Sequence, residues 1–318
     1  MTDPSVVALV GAGAIAPFHI AALRMAGFHV EHVAASPGSK RAAEIASRYD
    51  IPRLWSNPRE LIEFAEWDAL VLASATDSIP GLLESAMSTG RPCLVEKPVS
   101  FDPAQILRFA GHDRDVRVAY NRRFYTATQA AVEFAFSGPC IFRLELPDGI
   151  LAPDAEFAGL RAVRENSVHG LDLLHHVVGA YELLTRLDTK NPRGRIAAVT
   201  TARGHVGTIV LNWNCPANFA LVLDRAPARF EMRPFEMGSL YEGMEVLEPT
   251  SEVPVRRYVP KLVRQVDSLP GADGIKPGFL EQARSLMNRV VTGEWDSRSA
   301  TIADAAFAAD VARALTAD

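Results

Sequence analysis

The sequence predicts a two-domain protein, an α/β domain on a parallel sheet followed by an α+β domain, and three observations carry that prediction. The first is length, because 318 residues exceed the usual range of a single domain. The second is a regular alternation of short apolar strands and helical segments up to residue 120, the pattern of a parallel sheet with helices on both faces. The third is a change of rhythm after residue 120, where strand candidates follow one another and imply an antiparallel or mixed sheet.

Residues 5–10, SVVALV, form a β-branched run. Gly11-Ala-Gly13-Ala-Ile-Ala16 follows, and Phe18, Ile20, Ala21, Leu23 and Met25 then give an apolar helical pattern that ends at Gly27. Residues 28–35 alternate as a strand, and 40–48 read as a helix with Ala42, Ala43, Ile45 and Ala46 inward. The segment 67–75 is a buried strand, 79–89 a helix ending at Gly90, 92–98 a strand, 103–110 a helix and 116–120 the closing strand. Residues 121–137 read as a helix stopped by Gly138-Pro139. Strand candidates then cover 140–146, 195–201, 207–213, 219–224 and 228–233, interrupted by a helix near 166–178. Two helices, 278–292 and 301–316, close the chain after a stretch rich in Pro and Gly. The domains are therefore expected to span 1–120 and 121–318.

Composition excludes several classes. Hydrophobic residues at 48% and charged residues at 22% exclude a disordered chain. Lysine and arginine total 33 against 38 acidic residues, a net charge of −5, which argues against a general nucleic-acid binder. Cys93, Cys140 and Cys215 are too far apart for a metal or redox pair and read as small buried residues in a reducing compartment. The apolar start lacks a positive n-region and carries Asp3, so a secretory signal is not expected. No apolar run approaches the ~20 residues of a membrane span. A cytoplasmic protein is the expectation.

Three motifs carry chemistry. Gly11-x-Gly13-x-x-Ala16 lies between a strand and a helix, the context of a dinucleotide-binding turn: the first glycine allows the tight turn, the second lets a pyrophosphate approach the backbone, and Ala16 permits close helix–strand packing. The end of the second strand, Ala35-Ser36-Pro-Gly-Ser39-Lys40-Arg41, carries no acid for a ribose 2′-hydroxyl. A hydroxyl with Lys40 or Arg41 favours NADP over NAD, unless those two residues only open a solvated helix. Glu96-Lys97-Pro98 follows a buried strand, where open α/β sheets bind ligands; Lys97 there is suited to proton exchange, with Pro98 fixing the backbone through a possible cis bond, against the reading of an exposed strand-end lysine. Glu165, His169, Asp172 and His176 recur at spacings of four, three and four on one helical face. That face reads either as a metal site or as a catalytic histidine with partners, and no further Cys or His cluster favours the metal. His175 and His176 themselves read as half-buried packing residues.

Together these residues resemble the glucose–fructose oxidoreductase / inositol dehydrogenase / rhizopine-catabolism (Gfo/Idh/MocA) oxidoreductases. The resemblance rests on Gly11-x-Gly13-x-x-Ala16, Glu96-Lys97-Pro98, Tyr120-Asn-Arg-Arg-Phe124 and His169-x-x-Asp172, in that order, with Gly278-Phe-Leu-Glu-Gln and Thr292-Gly293 near the end. It implies a Rossmann domain and a second domain on a large open, mostly antiparallel sheet, with a nicotinamide cofactor between them. It assigns Lys97 and His169 as the acid/base pair. It implies Gly11, Gly13, Ala14, Ile15, Ser36, Lys40, Arg41, Ser74, Glu96 and Lys97 as the cofactor-binding residues, and Glu165, Tyr120, Asn121, Arg122, Asn166 and Asp172 as the substrate-binding ones. Glu165 stands where many members have an aspartate, Ser74-Ala75 where Thr-Pro is common, and Ile79 where a histidine is frequent. The implied activity is NAD(P)-dependent hydride transfer on a sugar, cyclitol or sugar nucleotide, in a homodimer or homotetramer joined through the second domain's sheet.

The loop around 148–164, with Asp148, Asp154, Glu156, Arg161 and Arg164, is expected to line the pocket. Arg161 and Arg164, with Arg122 and Arg123, either meet an anionic substrate or form surface ion pairs. Two other functions stand beside the sugar dehydrogenase: a reductase of a non-sugar carbonyl or imine on the same scaffold, and a cofactor-binding sensor without turnover. Possession of both Lys97 and His169 speaks against the sensor.

Overall fold

The computed structural model describes residues 4–111, 114–148, 161, 163–189, 194–268 and 274–317. The chain divides into two compact units, one formed by Met1–Phe124 with Pro270–Ala314, the other by Tyr125–Leu269 with Leu315–Asp318.

The first unit carries six parallel strands: β1 (Val6–Val10), β2 (His29–Ala34), β3 (Arg53–Trp55), β4 (Ala69–Leu72), β5 (Cys93–Val95) and β6 (Val116–Val118). They lie in the order β3-β2-β1-β4-β5-β6. The helices between them are α1 (Ala16–Met25), α2 (Lys40–Arg48), α3 (Pro58–Phe64), α4 (Ile79–Ser88) and α5 (Pro103–Leu107). Val7 to Val10 are fully buried, as a parallel strand covered on both faces requires. Strand order reverses between β1 and β4, and such a switch opens a crevice at the carboxyl ends of the strands.

Gly11 makes that crevice possible. Its φ is +115°, and its amide donates to the Ala34 carbonyl at 2.8 Å. A Cβ at this position would lie 2.0 Å from the Ala73 carbonyl oxygen. Only glycine lets the end of β1 pass the end of β4 this closely.

The C-terminal helix α8 (Phe279–Thr292, numbered after the second unit's helices) belongs to the first unit. Its Phe279, Ala283 and Leu286 share one core with Ala16, Ile20 and Leu23 of α1. Val118 of β6 also bridges to Ala300, its N–H donating to that carbonyl at 2.9 Å. This differs from the division at residue 120, which gave everything beyond it to the second domain. The closing helices were indistinguishable in sequence from any other amphipathic pair.

Tyr120 and Asn121, expected to bind substrate, are buried at 2% and 9% exposure. The Asn121 side chain donates to the Pro277 carbonyl at 3.0 Å. With its amide oriented to satisfy both groups, Gln282 accepts from the backbone N–H groups of Tyr120 and Asn121 at 3.1 Å. The pair therefore anchors the chain where it enters α8. Residues 121–124 form a 3₁₀ turn, not the start of the following helix, which begins at Thr126.

The second unit holds an eight-stranded sheet: β7 (Ile141–Leu146), β8 (Tyr181–Thr189), β9 (Gly194–Thr201), β10 (Val206–Leu211), β11 (Ala220–Arg225), β12 (Ala228–Met232), β13 (Met237–Leu247) and β14 (Arg257–Asp267). Its order is β14-β13-β12-β11-β7-β10-β9-β8, antiparallel except for the parallel pair β7–β10. Phe142, Leu144, Ala197, Val199, Ile209, Leu221 and Leu223 are buried. Helices α6 (Thr126–Phe136) and α7 (Val168–Val178) pack on the sheet, whereas α9 (Ile302–Thr316) belongs to the first unit up to Ala314. The strands β8 and β14, unforeseen in the sequence, are the sheet's two edges. Exposure on both faces erases their alternation, and Pro260 sits in β14, where an edge tolerates it.

A π-helical turn, Val163–Ser167, precedes α7. Asp148, at the end of β7 and 3% exposed, organises it. Its carboxylate accepts from the Asn166 side-chain amide at 2.5 Å and from the Ser167 hydroxyl. Its carbonyl accepts from the Asn214 N–H at 3.1 Å. A buried carboxylate persists only with such donors around it.

Cys93 and Cys140 are buried, and burial raises their thiols to about 12 and about 11. Cys215 is exposed, against the expectation that all three are buried, because it falls in the turn after β10. Among the described residues no helix is long and apolar enough to cross a membrane.

Two stability predictions follow from these contacts. Gly11→Ala should cost ~2 kcal/mol or more through the positive φ and the Ala73 clash, lowering the melting temperature by ~4 °C or more in a calorimetric scan. Asp148→Ala strands the buried Ser167 hydroxyl and should cost ~1–3 kcal/mol, with Asp148→Asn recovering part of it.

Candidate functional site

The glycine turn after β1 opens onto a cavity of about 700 Å³. Of the residues expected to hold a cofactor, Gly11, Gly13, Ser36 and Ser74 line it. Ala14 is exposed and Ile15 packs on the domain core, so those two stand outside its walls. Lys40 and Arg41 also lie outside: both are exposed in the first turn of α2, whose cap is the Ser39 hydroxyl accepting from the Ala42 N–H at 3.3 Å. The basic side chain that does line the cavity is Arg59 of α3, a helix of only two turns that follows a strand of three residues.

The cavity suits a dinucleotide. A Cβ on Gly13 would meet nothing within 4 Å, so the wall leaves open space beside the backbone. The opposite side is built from Ala73, Ser74 and Ala75 at the end of β4, small residues that keep it wide. Gly11 and Gly13 with Ser74 are the residues that would hold the pyrophosphate half of a bound nicotinamide dinucleotide.

Glu96 and Lys97 stand at the end of β5. The Lys97–Pro98 bond is cis. The Glu96 carboxylate makes two contacts: one oxygen meets His19 Nε2 at 2.8 Å, and the other accepts from the Lys97 N–H at 3.1 Å. His19 is 3% exposed on the inner face of α1. The structure thus gives Glu96 a local role, fixing the backbone that carries Lys97. His19 was missed in the sequence, although a signal existed. It shares the i, i+3, i+4, i+7 stripe of Ala16, Ile20 and Leu23, so it is a polar residue at a core position.

In the second unit, Glu165 and Asn166 sit in the π turn and His169 in the first turn of α7. Glu165 accepts from Arg161 at 2.6 Å, a half-exposed pair. Asn166 is exposed with its amide held by Asp148. Asp172 is 1% exposed, so the helix turns it inward. There its charge joins burial in pushing the Tyr181 hydroxyl well above its ordinary value. The π turn breaks the regular pitch before α7, and along it Glu165 is half-exposed while Asp172 is buried. His175 and His176 are half-buried, as expected of packing residues.

The arginines considered for an anionic substrate are divided. Arg123 is buried against Asp304 at 3.2 Å, Arg164 donates to the Thr316 hydroxyl at 3.3 Å, and Arg122 is half-buried. Asp154 and Glu156 lie outside the described residues.

Comparison with known proteins gives this geometry its context. Residues 6–119 match the oxidoreductase family with NAD-binding Rossmann fold, Gfo/Idh/MocA. The chain is 25% identical over 236 residues to inositol 2-dehydrogenase of Paracoccus denitrificans, covering 66% of this chain and 67% of that one. It is 25% identical over 288 residues to UDP-N-acetylglucosamine 3-dehydrogenase of Acidithiobacillus ferrooxidans, covering 87% and 82%. Among solved structures, levoglucosan dehydrogenase in complex with NADH superposes with a TM-score of 0.76 at 15% identity, covering 98% of this chain and 95% of that one. Residues 6–119, which carry the cavity over Gly11 and Gly13 and the Glu96-Lys97-Pro98 turn, are thus similar to the Gfo/Idh/MocA oxidoreductases with NAD-binding Rossmann fold.

Proposed function

We propose that this protein is an NAD(P)-dependent dehydrogenase, with NADP preferred, acting at a hydroxyl- or carbonyl-bearing carbon of a sugar, cyclitol or sugar nucleotide. The observation that carries the reading is Lys97 at the carboxyl end of β5, on a backbone pinned by Glu96, in the same unit as the glycine-lined cavity. The names of the relatives, which act on inositol and on UDP-N-acetylglucosamine, support a polyhydroxylated substrate.

A bound nicotinamide supplies the hydride acceptor or donor. The protein's own part is proton management. In the oxidative direction Lys97 takes the proton of the substrate hydroxyl, and His169, at the start of α7, relays it; in reduction the same groups return it. Glu96 holds the Lys97 backbone through its N–H, and His19 holds Glu96. Asp148 holds the turn carrying Glu165 and Asn166, the residues that would bind substrate hydroxyls. Tyr120, Asn121 and Asp172 act as supports because they are buried.

The NADP preference is supported by the absence of any acid from Ala34 to Arg41, where a carboxylate would repel a 2′-phosphate. A homo-oligomer is part of the same reading, supported by exposed Leu184, Leu187, Ile196, Met244, Tyr258 and Leu262 on the strands of the second sheet. A cytoplasmic location is supported by three cysteines without a disulfide.

The test is a cofactor-reduction screen over cyclitols, sugars, sugar acids and nucleotide sugars, run with NAD and NADP in parallel. Lys97→Met and His169→Asn should each lower kcat by ~10²–10⁴-fold with dinucleotide affinity nearly unchanged. Near wild-type turnover in Lys97→Met would remove Lys97 from the mechanism. Gly13→Val should abolish dinucleotide binding, measured by calorimetric titration, while keeping the melting temperature within ~2 °C, because the added side chain enters open space.

A further inference from the structure

We infer that Arg59, with the Ser36 hydroxyl, is the group that selects the cofactor by receiving the 2′-phosphate of NADP, a role that neither Lys40 nor Arg41 fills. The inference rests on the cofactor reading above and names the side chain that decides it.

The topology brings Arg59 to the site. β3 lies beside β2 at the sheet edge, and α3 starts three residues after β3, so the first turn of α3 opens at the carboxyl end of the strands. Arg59 is the second residue of that helix, capped by the Asn57 side chain accepting from the Arg59 N–H at 3.0 Å. It lines the same cavity as Gly11, Gly13 and Ser36. Ser36 stands two residues beyond β2, the place where an acidic side chain takes the ribose 2′-hydroxyl in NAD-binding sheets.

The guanidinium is placed without being neutralised. Nη1 donates to the Ser85 hydroxyl of α4 at 3.2 Å. A Cβ on Gly81 would come within 3.0 Å of Nη2, so the glycine leaves room for the group against α4. Among the described residues no carboxylate pairs with Arg59, whereas Arg53, six residues earlier, meets Glu31 at 3.1 Å. A planar cation held on one side by a neutral hydroxyl keeps the rest of its donor fork for a doubly charged oxyanion. Asp77 also lines the cavity, but it belongs to the turn after β4, not to the end of β2.

The experiment compares NADP and NAD affinities of the full-length protein by calorimetric titration. Arg59→Ala should weaken NADP about 10- to 100-fold and change NAD by less than about twofold, the range expected for one charge-assisted contact. Arg59→Lys should keep part of the preference, since the charge remains but the fork is lost. A melting temperature equal to wild type separates this effect from a disturbed α3–α4 contact. Equal losses of both cofactors, an unchanged NADP affinity, or a preference governed by Asp77→Asn instead would overturn the inference while leaving the dinucleotide site intact. Failure of the wild-type protein to bind either dinucleotide would overturn the cofactor reading itself, and Arg59 with it.

Discussion

The approach of Gly11 to the Ala73 carbonyl is the constraint on which the first unit depends. Strands β1 and β4 are central neighbours, and their chains leave the sheet in different directions to reach α1 and α4. The two exits would collide if Gly11 carried a side chain, because its Cβ would meet the Ala73 backbone carbonyl. Glycine removes the collision, the chain turns under α1, and the space between the two exits becomes the cavity. Fold and ligand site thus share one steric solution.

Carboxylates play the organising role around that frame. Glu96 ties α1 to the end of β5 by meeting His19 with one oxygen and the Lys97 N–H with the other. Asp148 does the corresponding work in the second unit, drawing Asn166 and Ser167 onto the end of β7. In each case an acid with little exposure faces donors from a neighbouring element, and the backbone next to a reactive candidate is held as a result. Such groups are costly to leave without donors, which makes them strong constraints on local conformation.

Much of the first unit was legible in sequence. Buried strands on a parallel sheet read as short apolar runs, and the Gly-x-Gly turn between a strand and a helix carries its own physical reason. What stayed hidden follows from equally physical causes. Strand β3 has three residues and shows no period, so nothing in the sequence brings the following helix and its Arg59 to the end of the sheet. Edge strands β8 and β14 expose both faces and lose alternation. The burial of Tyr120 and Asn121 depends on Pro277 and Gln282, more than 150 residues away, and no local pattern announces a partner at that distance. The π turn carrying Glu165 was equally hidden, since a pitch change leaves no mark in residue spacing.

The first unit is also discontinuous in sequence. Its core takes Phe279, Ala283 and Leu286 from a helix that follows the entire second unit, and β6 completes a pairing with Ala300. During synthesis the part of the first unit that precedes the second emerges earlier but lacks this packing until residues 279–300 have been made. The second unit, contiguous apart from its last few residues, has its eight strands available earlier. The order of emergence and the order of completion are therefore opposed: the cavity-lining residues, 11 to 82, are made first, while the core packed behind them is completed only by residues that follow the second unit.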